Sequence, residues 1–282
     1  MFSPSDIAEY YNTTQNHYTR WWNLGETLSL HYGIWDENVK SFSGSLINTN
    51  RIMMETAKIS PDDKVLDAGC GVGGAAFYIN KMKNAEVTGI SLSEKQINFA
   101  SEVAAENNVA DKVSFHIMDF ARTSFQDESF DVVWACESVC QAMDKAAFMR
   151  ECYRILKKGG RLILGDFFLT DDDQEDRHSW IRKWCDTWAV SGLISCDAFT
   201  EKLKENGFNP VTIADYTDKI KKSARRMYYA SITGALPSEI YNLFHPKVSR
   251  FAKTHYKCGY YQYKALMEGL WKYWIMLAVK PN

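Results

Sequence analysis

Val65-Leu66-Asp67-Ala68-Gly69-Cys70-Gly71-Val72-Gly73-Gly74 is the stretch on which the fold turns. Lys64–Ala68 has strand composition and residues 74–83 have helical periodicity, so the glycines fall on a strand-to-helix turn. Glycine there lets the backbone bend sharply and approach a ligand, at a helix N-terminus whose unpaired amides attract polar groups. Dinucleotide-binding enzymes share the bare G-x-G pattern. Two details point away from them. Asp67 stands before the first glycine, where it would receive an ammonium group and repel a pyrophosphate. The glycines run Gly69-x-Gly71-x-Gly73, and Gly74 follows Gly73 rather than standing alone as the third glycine of a G-x-G-x-x-G step.

Outward from this loop, short apolar runs alternate with helical periods. Strands are expected at Lys64–Ala68, Glu86–Ile90, Val113–Met118, Phe130–Ala135 and Arg161–Asp166, with helices over 74–83, 93–107 and 144–156. The last of these shows Phe148, Cys152, Ile155 and Leu156 on one face and stops at Gly159-Gly160. Such alternation predicts an α/β fold, a doubly wound parallel sheet with helices on both faces. Upstream, Ile7, Tyr10, Tyr11, Thr14, Tyr18 and Trp21 step in threes and fours, a helix capped near Ser5, and a second helix spans Ser45 to Ala57. Downstream, residues 170–195 read as helix, Ala198–Asn206 as another and Pro210–Tyr216 as a strand. Residues 218–265 read as helical, and Tyr273–Val279 as a closing strand, so strands bracket a helical insertion. The expected organisation is an N-terminal helical lid (1–57), a core (58–169), a cap (170–265) holding one core helix and strand at about 197–216, and the closing strand (266–282).

At these positions the chain resembles the class I S-adenosylmethionine-dependent methyltransferases, over nearly all of its length. Val65–Gly74 is similar to their cofactor loop, Val87–Ser91 to the end of their second strand, Asp119-Phe120 to the acidic-aromatic pair facing the adenine, and Leu156–Arg161 to the turn before their fifth strand. A finer resemblance is to the branch of sterol, tocopherol and prenyl-diphosphate methyltransferases, with sarcosine methyltransferases nearby. It is carried by Tyr10-Tyr11 through His31-Tyr32-Gly33-Ile34-Trp35, by Thr88–Gln96, and by Glu137–Asp144. The resemblance implies a Rossmann-like methyltransferase sheet and S-adenosylmethionine as cofactor. It implies that Asp67, Gly69 and Gly71 form the cofactor loop, and that Ser91 stands where many relatives carry an acid for the ribose. Gln96 would then hold the ribose, and Tyr18 and the His31–Gly33 turn would close over the methionine end. Gln96 has a plainer reading beside this one, because Ser93-x-x-Gln96 is a helix capping box.

Methyl transfer from a sulfonium is an in-line displacement that asks a protein mainly for alignment and for exclusion of water. What remains is the acceptor's proton, or a carbocation if the acceptor is an alkene. Glu137, just beyond the fourth strand and set among Ala135, Cys136, Val139 and Cys140, is the candidate base, since apolar surroundings raise a carboxyl pKa. Prenyl-diphosphate methyltransferases, by resemblance, use a glutamate of a Glu-Ser pair here. The plainer reading is a carboxylate that anchors the N-terminal lid. Many relatives have a histidine four residues further on; this chain has Gln141, which cannot act as a base, so phenol deprotonation would need His31, His178, His245 or His255. Trp180, Trp184 and Trp188 form a stripe read either as core or as an aromatic acceptor wall, with His31, Gln141, Trp180 and Trp184 taken as acceptor-binding. The basic run Lys219–Arg226 reads as a solvated helix face rather than a diphosphate grip.

The chain has 282 residues, 46% hydrophobic, with a net charge of −2 and seven cysteines. Near-neutral charge disfavours a nucleic-acid partner. No apolar run approaches the length of a membrane span, and the acidic, aromatic N-terminus is unlike a signal peptide. The cysteines form no C-x-x-C pair and suit reduced thiols in the cytoplasm rather than disulfides or a metal site. The resemblance implies a small-molecule methyltransferase, and the expected acceptor is apolar or isoprenoid-type, methylated at carbon in a closed aromatic pocket. N-methylation of a small sarcosine-like amine, O-methylation of a phenol, a cofactor-binding protein without turnover and a dehydrogenase stand as alternatives. The sequence leaves the oligomeric state open.

Overall fold

The computed structural model describes residues 2–21 and 24–282, with side chains outside 15–24; Tyr18 lies outside those described side chains. Helix α1 (Pro4–Trp21) starts earlier than expected. Its cap is Ser3, whose Oγ accepts from Asp6 N at 3.2 Å while Asp6 Oδ2 accepts from Ser3 N at 2.8 Å. After α2 (Leu24–Thr27) and α3 (Phe42–Thr56), the alternation runs β1 (Lys64–Ala68), α4 (Gly74–Lys83), β2 (Glu86–Ser91), α5 (Glu94–Glu106), β3 (Val113–Ile117), β4 (Phe130–Cys136), α6 (Lys145–Ile155) and β5 (Leu156–Leu169). The boundaries follow the expected ones closely except in β5. That strand is longer at both ends, because it pairs with β4 from Leu156 across a bulge and runs beside a later strand out to Leu169.

The second half comprises α7 (Trp180–Thr187), α8 (Cys196–Glu205), β6 (Val211–Asp215), α9 (Thr217–Phe244), α10 (Arg250–Thr254), α11 (Cys258–Met267) and β7 (Trp271–Val279). The helix expected over 170–195 contracts to α7. Carboxylates there bond to backbone amides instead of leaving them to a helix: Asp171 takes Asp173 N, Asp172 takes Ser195 N at 2.7 Å, and Asp176 takes Trp180 N and Ile181 N.

The seven strands lie in the order β3-β2-β1-β4-β5-β7-β6. β1 to β5 are parallel, as expected, while β7 runs antiparallel between β5 and β6, so the sheet is mixed. Successive residues of each central strand point to opposite faces. Val65, Val132 and Ile163 pack with residues of α3, α4 and α5, whereas Leu66, Val133 and Leu164 pack with residues of α6 and α8. Burial on both faces explains the continuous apolar run 132–136 of β4, and in β1 the same burial encloses Asp67. Helices α9 to α11 are inserted between β6 and β7. The strand order reverses between β1 and β4, and in open α/β sheets such a switch point leaves a crevice at the carboxyl ends.

Candidate active site

Two loops meet at that crevice. After β1, Gly69 has φ +93°, and a Cβ built on it would stand 2.4 Å from Ser138 Cβ. Ser138 Oγ donates to Ala68 O at 2.6 Å and pins the loop after β4 against the loop after β1. Only glycine fits this close approach. Gly71 follows at φ +53° and Gly73 at φ +89° as the chain winds into α4, with the amides of Gly69 and Cys70 donating to Ile90 O and that of Gly73 to Cys70 O.

Asp67 borders this cleft, almost wholly buried, and its Oδ2 has no hydrogen-bond partner among the described residues. Burial pushes its pKa up to about 7, opposed in part by a backbone amide of Ala76. A buried carboxylate with an open oxygen is a receptor for a cationic donor. Across the cleft, Ser91 Oγ donates to Gln96 Oε1 at 2.9 Å, and Ser93 Oγ accepts from Gln96 N at 3.2 Å. Of the expected capping box only this second arm forms. Ser93 N donates to Ser91 Oγ instead, and the Gln96 amide nitrogen sits beside Gly71. Ser91, Gln96 and Phe120 line the cleft. Asp119 does not; its Oδ1 accepts from Ala121 N at 2.8 Å and shapes the turn that presents Phe120.

Glu137 is at the end of β4 with φ +50°, a strained value for a residue with a side chain, and is held there by its amide donating to Gly165 O at 2.8 Å. Its Oε1 accepts from Tyr32 N at 2.6 Å, so the anchoring contact to the N-terminal segment exists. The carboxyl is 7% exposed and its pKa is raised well above the ordinary glutamate value, chiefly by burial and further by the neighbouring Asp166 carboxylate. Asp166 itself is pushed up to about 6 by burial, although Phe167 N and Cys140 N donate to it. The Tyr273 hydroxyl is buried beside Glu137 without completing a hydrogen bond of ordinary geometry, and burial, followed by the charge of Glu137, raises its pKa.

Glu137, Leu30 and Trp188 line both the cleft and a second, larger cavity of about 510 Å³ under α9, α10 and α11. This size lies within the roughly 300–1,000 Å³ range of small-molecule sites. Its walls include Tyr32, Met227, Tyr241, His255 and Gln262. No lysine or arginine lines either cavity among the described residues. Lys219, Lys221, Lys222, Arg225 and Arg226 are exposed instead, with Lys221 paired to Asp218 and Lys222 over the Trp35 ring. His31 lines the cleft; burial lowers its pKa, and its Nδ1 lies 3.0 Å from Tyr32 O. His178 and His245 are at the surface.

Gln141 also lines the cleft, as a clamp: Tyr11 Oη donates to its Oε1 at 2.9 Å, and its Nε2 donates to Trp188 O at 3.1 Å. Ser93 Oγ to Asn12 Oδ1 and the 2.9 Å contact of Tyr10 Oη with His255 Nδ1 tie α1 down further. Two expected acceptor residues are elsewhere. Trp184 is fully buried in the core against Phe167 and Trp271, and Trp180 is half-buried, stacked on Tyr261 and donating to Glu268. The stripe ends at Trp188, which closes the α7 helix and alone of the three reaches the cavities. Asp166 and Tyr273 lie beside Glu137 without having been expected there. A lone charge inside the apolar run Leu162–Leu169 was the available signal for Asp166; Tyr273 had none, because only the antiparallel β5–β7 pairing brings it near Glu137.

A family model described as a methyltransferase domain matches residues 66–164. The chain is 30% identical over 226 residues to the 27-O-demethylrifamycin SV methyltransferase of Amycolatopsis mediterranei (strain S699), covering 78% of this chain and 80% of that protein. The chain belongs to the S-adenosylmethionine-dependent methyltransferases. The 2-methyl-6-phytyl-1,4-hydroquinone methyltransferase of Synechocystis sp. (strain ATCC 27184 / PCC 6803 / Kazusa) is 35% identical over 197 residues, 66% of this chain and 60% of that one. In fold, the methyltransferase superposes on geranyl diphosphate C-methyltransferase from Streptomyces coelicolor A3(2), solved with Mg2+, geranyl diphosphate and S-adenosyl-L-homocysteine. The TM-score is 0.78 at 20% identity, over 98% of this chain and 97% of that one. The enzyme is thus a class I small-molecule methyltransferase of the sterol, tocopherol and prenyl branch, with S-adenosylmethionine as cofactor. The open Asp67 oxygen and the glycine cradle fit that cofactor. Among the described residues no cluster of His, Cys, Asp or Glu is placed to hold a metal ion, and no helix is long and apolar enough to cross a membrane.

Proposed function

We propose that this methyltransferase acts on a small, uncharged and largely apolar acceptor, with carbon methylation the leading reaction. The observation that carries the reading is a cavity that shares Leu30, Glu137 and Trp188 with the wall of the cofactor cleft and has no lysine or arginine in its lining among the described residues. A diphosphate, a phosphoryl group or an amino-acid carboxylate would be left there without a cationic partner, which is costly in a desolvated site. An isoprenoid or ring without such a group would bury its surface against Trp188, Met227 and Tyr241.

When bound, S-adenosylmethionine supplies an activated methyl group on its sulfonium. In our assignment Asp67 holds the ammonium, Gln96 directs its amide to the ribose, and Phe120 packs on the adenine. Ser91 orients Gln96 rather than contacting the nucleoside directly. Residues 1–57 serve as a lid and α9 to α11 as a cap, excluding water while acceptor and donor align. Glu137 takes the proton released at the acceptor. Burial raises its pKa and so strengthens it as a base once ionised, and a cation in the cleft would shift it toward the carboxylate it must be to act. The seven unpaired cysteines suit a reducing, cytoplasmic setting.

A second reading, O-methylation of a hydroxyl, draws support from His255. It lines the acceptor cavity and its Nδ1 is engaged by Tyr10, so it can stand in for the histidine that Gln141 replaces. The test is to incubate the enzyme with radiolabelled S-adenosylmethionine and a cell extract and to fractionate the products. Label in the organic phase is expected. Label confined to a small polar amine overturns the acceptor assignment.

A further inference from the structure

Helix α9 has a face of mostly small and polar residues and an apolar face opposite it. Met227, Ser231, Gly234, Ser238 and Asn242, stepping in threes and fours, face the acceptor cavity. About half a turn away, Tyr229, Ile232, Leu236, Ile240, Leu243 and Phe244 form a second stripe that faces outward. Leu236, Leu243 and Phe244 are 70%, 76% and 73% exposed, the highest values among the large apolar side chains of the described residues. Single exposed apolar residues are ordinary, but a continuous stripe of this kind marks a surface that something covers.

Charge says what covers it. Residues 225–257 carry six Lys and Arg against one acid, Glu239. The rest of the chain carries 27 basic against 34 acidic side chains. The positive charge is thus concentrated on the segment that bears the stripe, in a protein that is otherwise acidic. Arg225 at one end of the stripe and Lys247 at the other are exposed; Arg226 lies over the Phe42 ring, Arg250 over Phe2 and Phe251, and Lys253 donates to Pro246 O, while Glu239 between the ends is already bonded to Tyr256 and to Lys257. An apolar stripe rimmed by basic side chains is the surface that lies at the headgroup boundary of an anionic bilayer. A second copy of this chain would set these positive rims against one another. The stripe is also continuous with the cavity, since Pro237 and Tyr241, beside Leu236 and Ile240, line its wall.

We propose that the outer face of α9 docks on a lipid surface bearing anionic headgroups, so that an apolar acceptor passes from the bilayer into the cap cavity. The docking stands on the stripe and its charge; the delivery of acceptor rests on the functional reading above.

The experiment is vesicle flotation with the full chain and no acceptor, which separates docking from the choice of acceptor. Vesicles of phosphatidylcholine alone are compared with vesicles holding about 30% phosphatidylglycerol, at about 50 mM salt, where screening is weak. The enzyme is expected to float with the anionic vesicles and to be released as salt rises. The triple variant Leu236→Ser, Leu243→Ser, Phe244→Ser should bind about tenfold more weakly. Calorimetry with S-adenosylhomocysteine should show unchanged affinity, because the stripe does not border the cofactor cleft. The proposal is overturned if the parent stays at the bottom of the gradient with anionic vesicles, or if the folded triple variant floats equally well. Light scattering that finds a parent dimer and a monomeric variant, with no flotation of either, would assign the stripe to self-association and overturn it as well.

Discussion

The carboxyl of Asp67 gives the cofactor site a pH signature that can be worked out in advance. In the free enzyme burial holds its pKa at about 7, and its Oδ2 has no partner among the described residues. An ammonium arriving at that oxygen selects the ionised form, so binding at acid pH must first release a proton. At pH 6 only about one site in eleven is ionised, at pH 8 about ten in eleven, and affinity for S-adenosylhomocysteine should rise about tenfold between the two. Calorimetry in buffers of different ionisation enthalpy should find close to one proton released at pH 6 and about a tenth of one at pH 8. The variant Asp67→Asn separates this from titration of the ligand's own amine and of Glu137: its affinity should fall by about 1.5–3 kcal/mol at pH 8 and lose the tenfold slope. Stability should move the other way. A carboxyl whose folded pKa is raised from 3.8 to about 7 binds more protons folded than unfolded between those values. The ligand-free enzyme therefore loses stability as pH rises through that window, by up to roughly 4 kcal/mol in all. Asp67→Asn should remove that loss, so at pH 8 the variant should melt higher than the parent while binding worse. A parent affinity that is flat from pH 6 to pH 8, or a variant that loses binding and melting temperature together, would refute the reasoning.

Other expectations follow from the same geometry. Glu137→Gln keeps an oxygen to accept from Tyr32 N, so calorimetric affinity for S-adenosylhomocysteine should hold within about twofold while turnover falls about 10²-fold or more; an unchanged rate would reduce Glu137 to an anchor. Gly69→Ala must place a Cβ 2.4 Å from Ser138 Cβ at φ +93°, and should cost roughly 2–4 kcal/mol in denaturant unfolding together with most cofactor affinity. Trp184→Leu should lower the melting temperature and leave the acceptor KM near the parent value, while Trp188→Ala should raise that KM, since only Trp188 lines the cavity. His255→Gln should slow transfer to a hydroxyl acceptor and spare transfer to carbon, a split visible in product analysis.

Much of the fold was open to a reader of the residues. Periodicity placed β1 and α4 at their observed boundaries, because burial on both sheet faces favours apolar residues in the strand and the glycine turn leaves a mark of its own. The helix expected over 170–195 failed where Asp171, Asp172 and Asp176 took backbone amides for themselves, a choice that depends on which amides lie within reach. Trp180, Trp184 and Trp188 share a spacing, and spacing cannot say which of them faces core and which faces ligand. α7 ends before the stripe does, and the loop beyond it turns Trp188 toward Glu137.

What the sequence by itself determined is what local chemistry writes in adjacent residues: the strand–turn–helix of the cofactor loop, the parallel core around it, and the cofactor class that Asp67 and the glycines suit. Tertiary structure decided what surrounds Glu137. Trp188 from the end of α7 and His255 from the segment after α10 share the larger cavity with it, while Asp166 of β5 and Tyr273 of β7 are buried behind it, an arrangement made only when β7 inserts antiparallel beside β5. Burial then sets their protonation, and burial is a property of packing that no stretch of sequence carries alone.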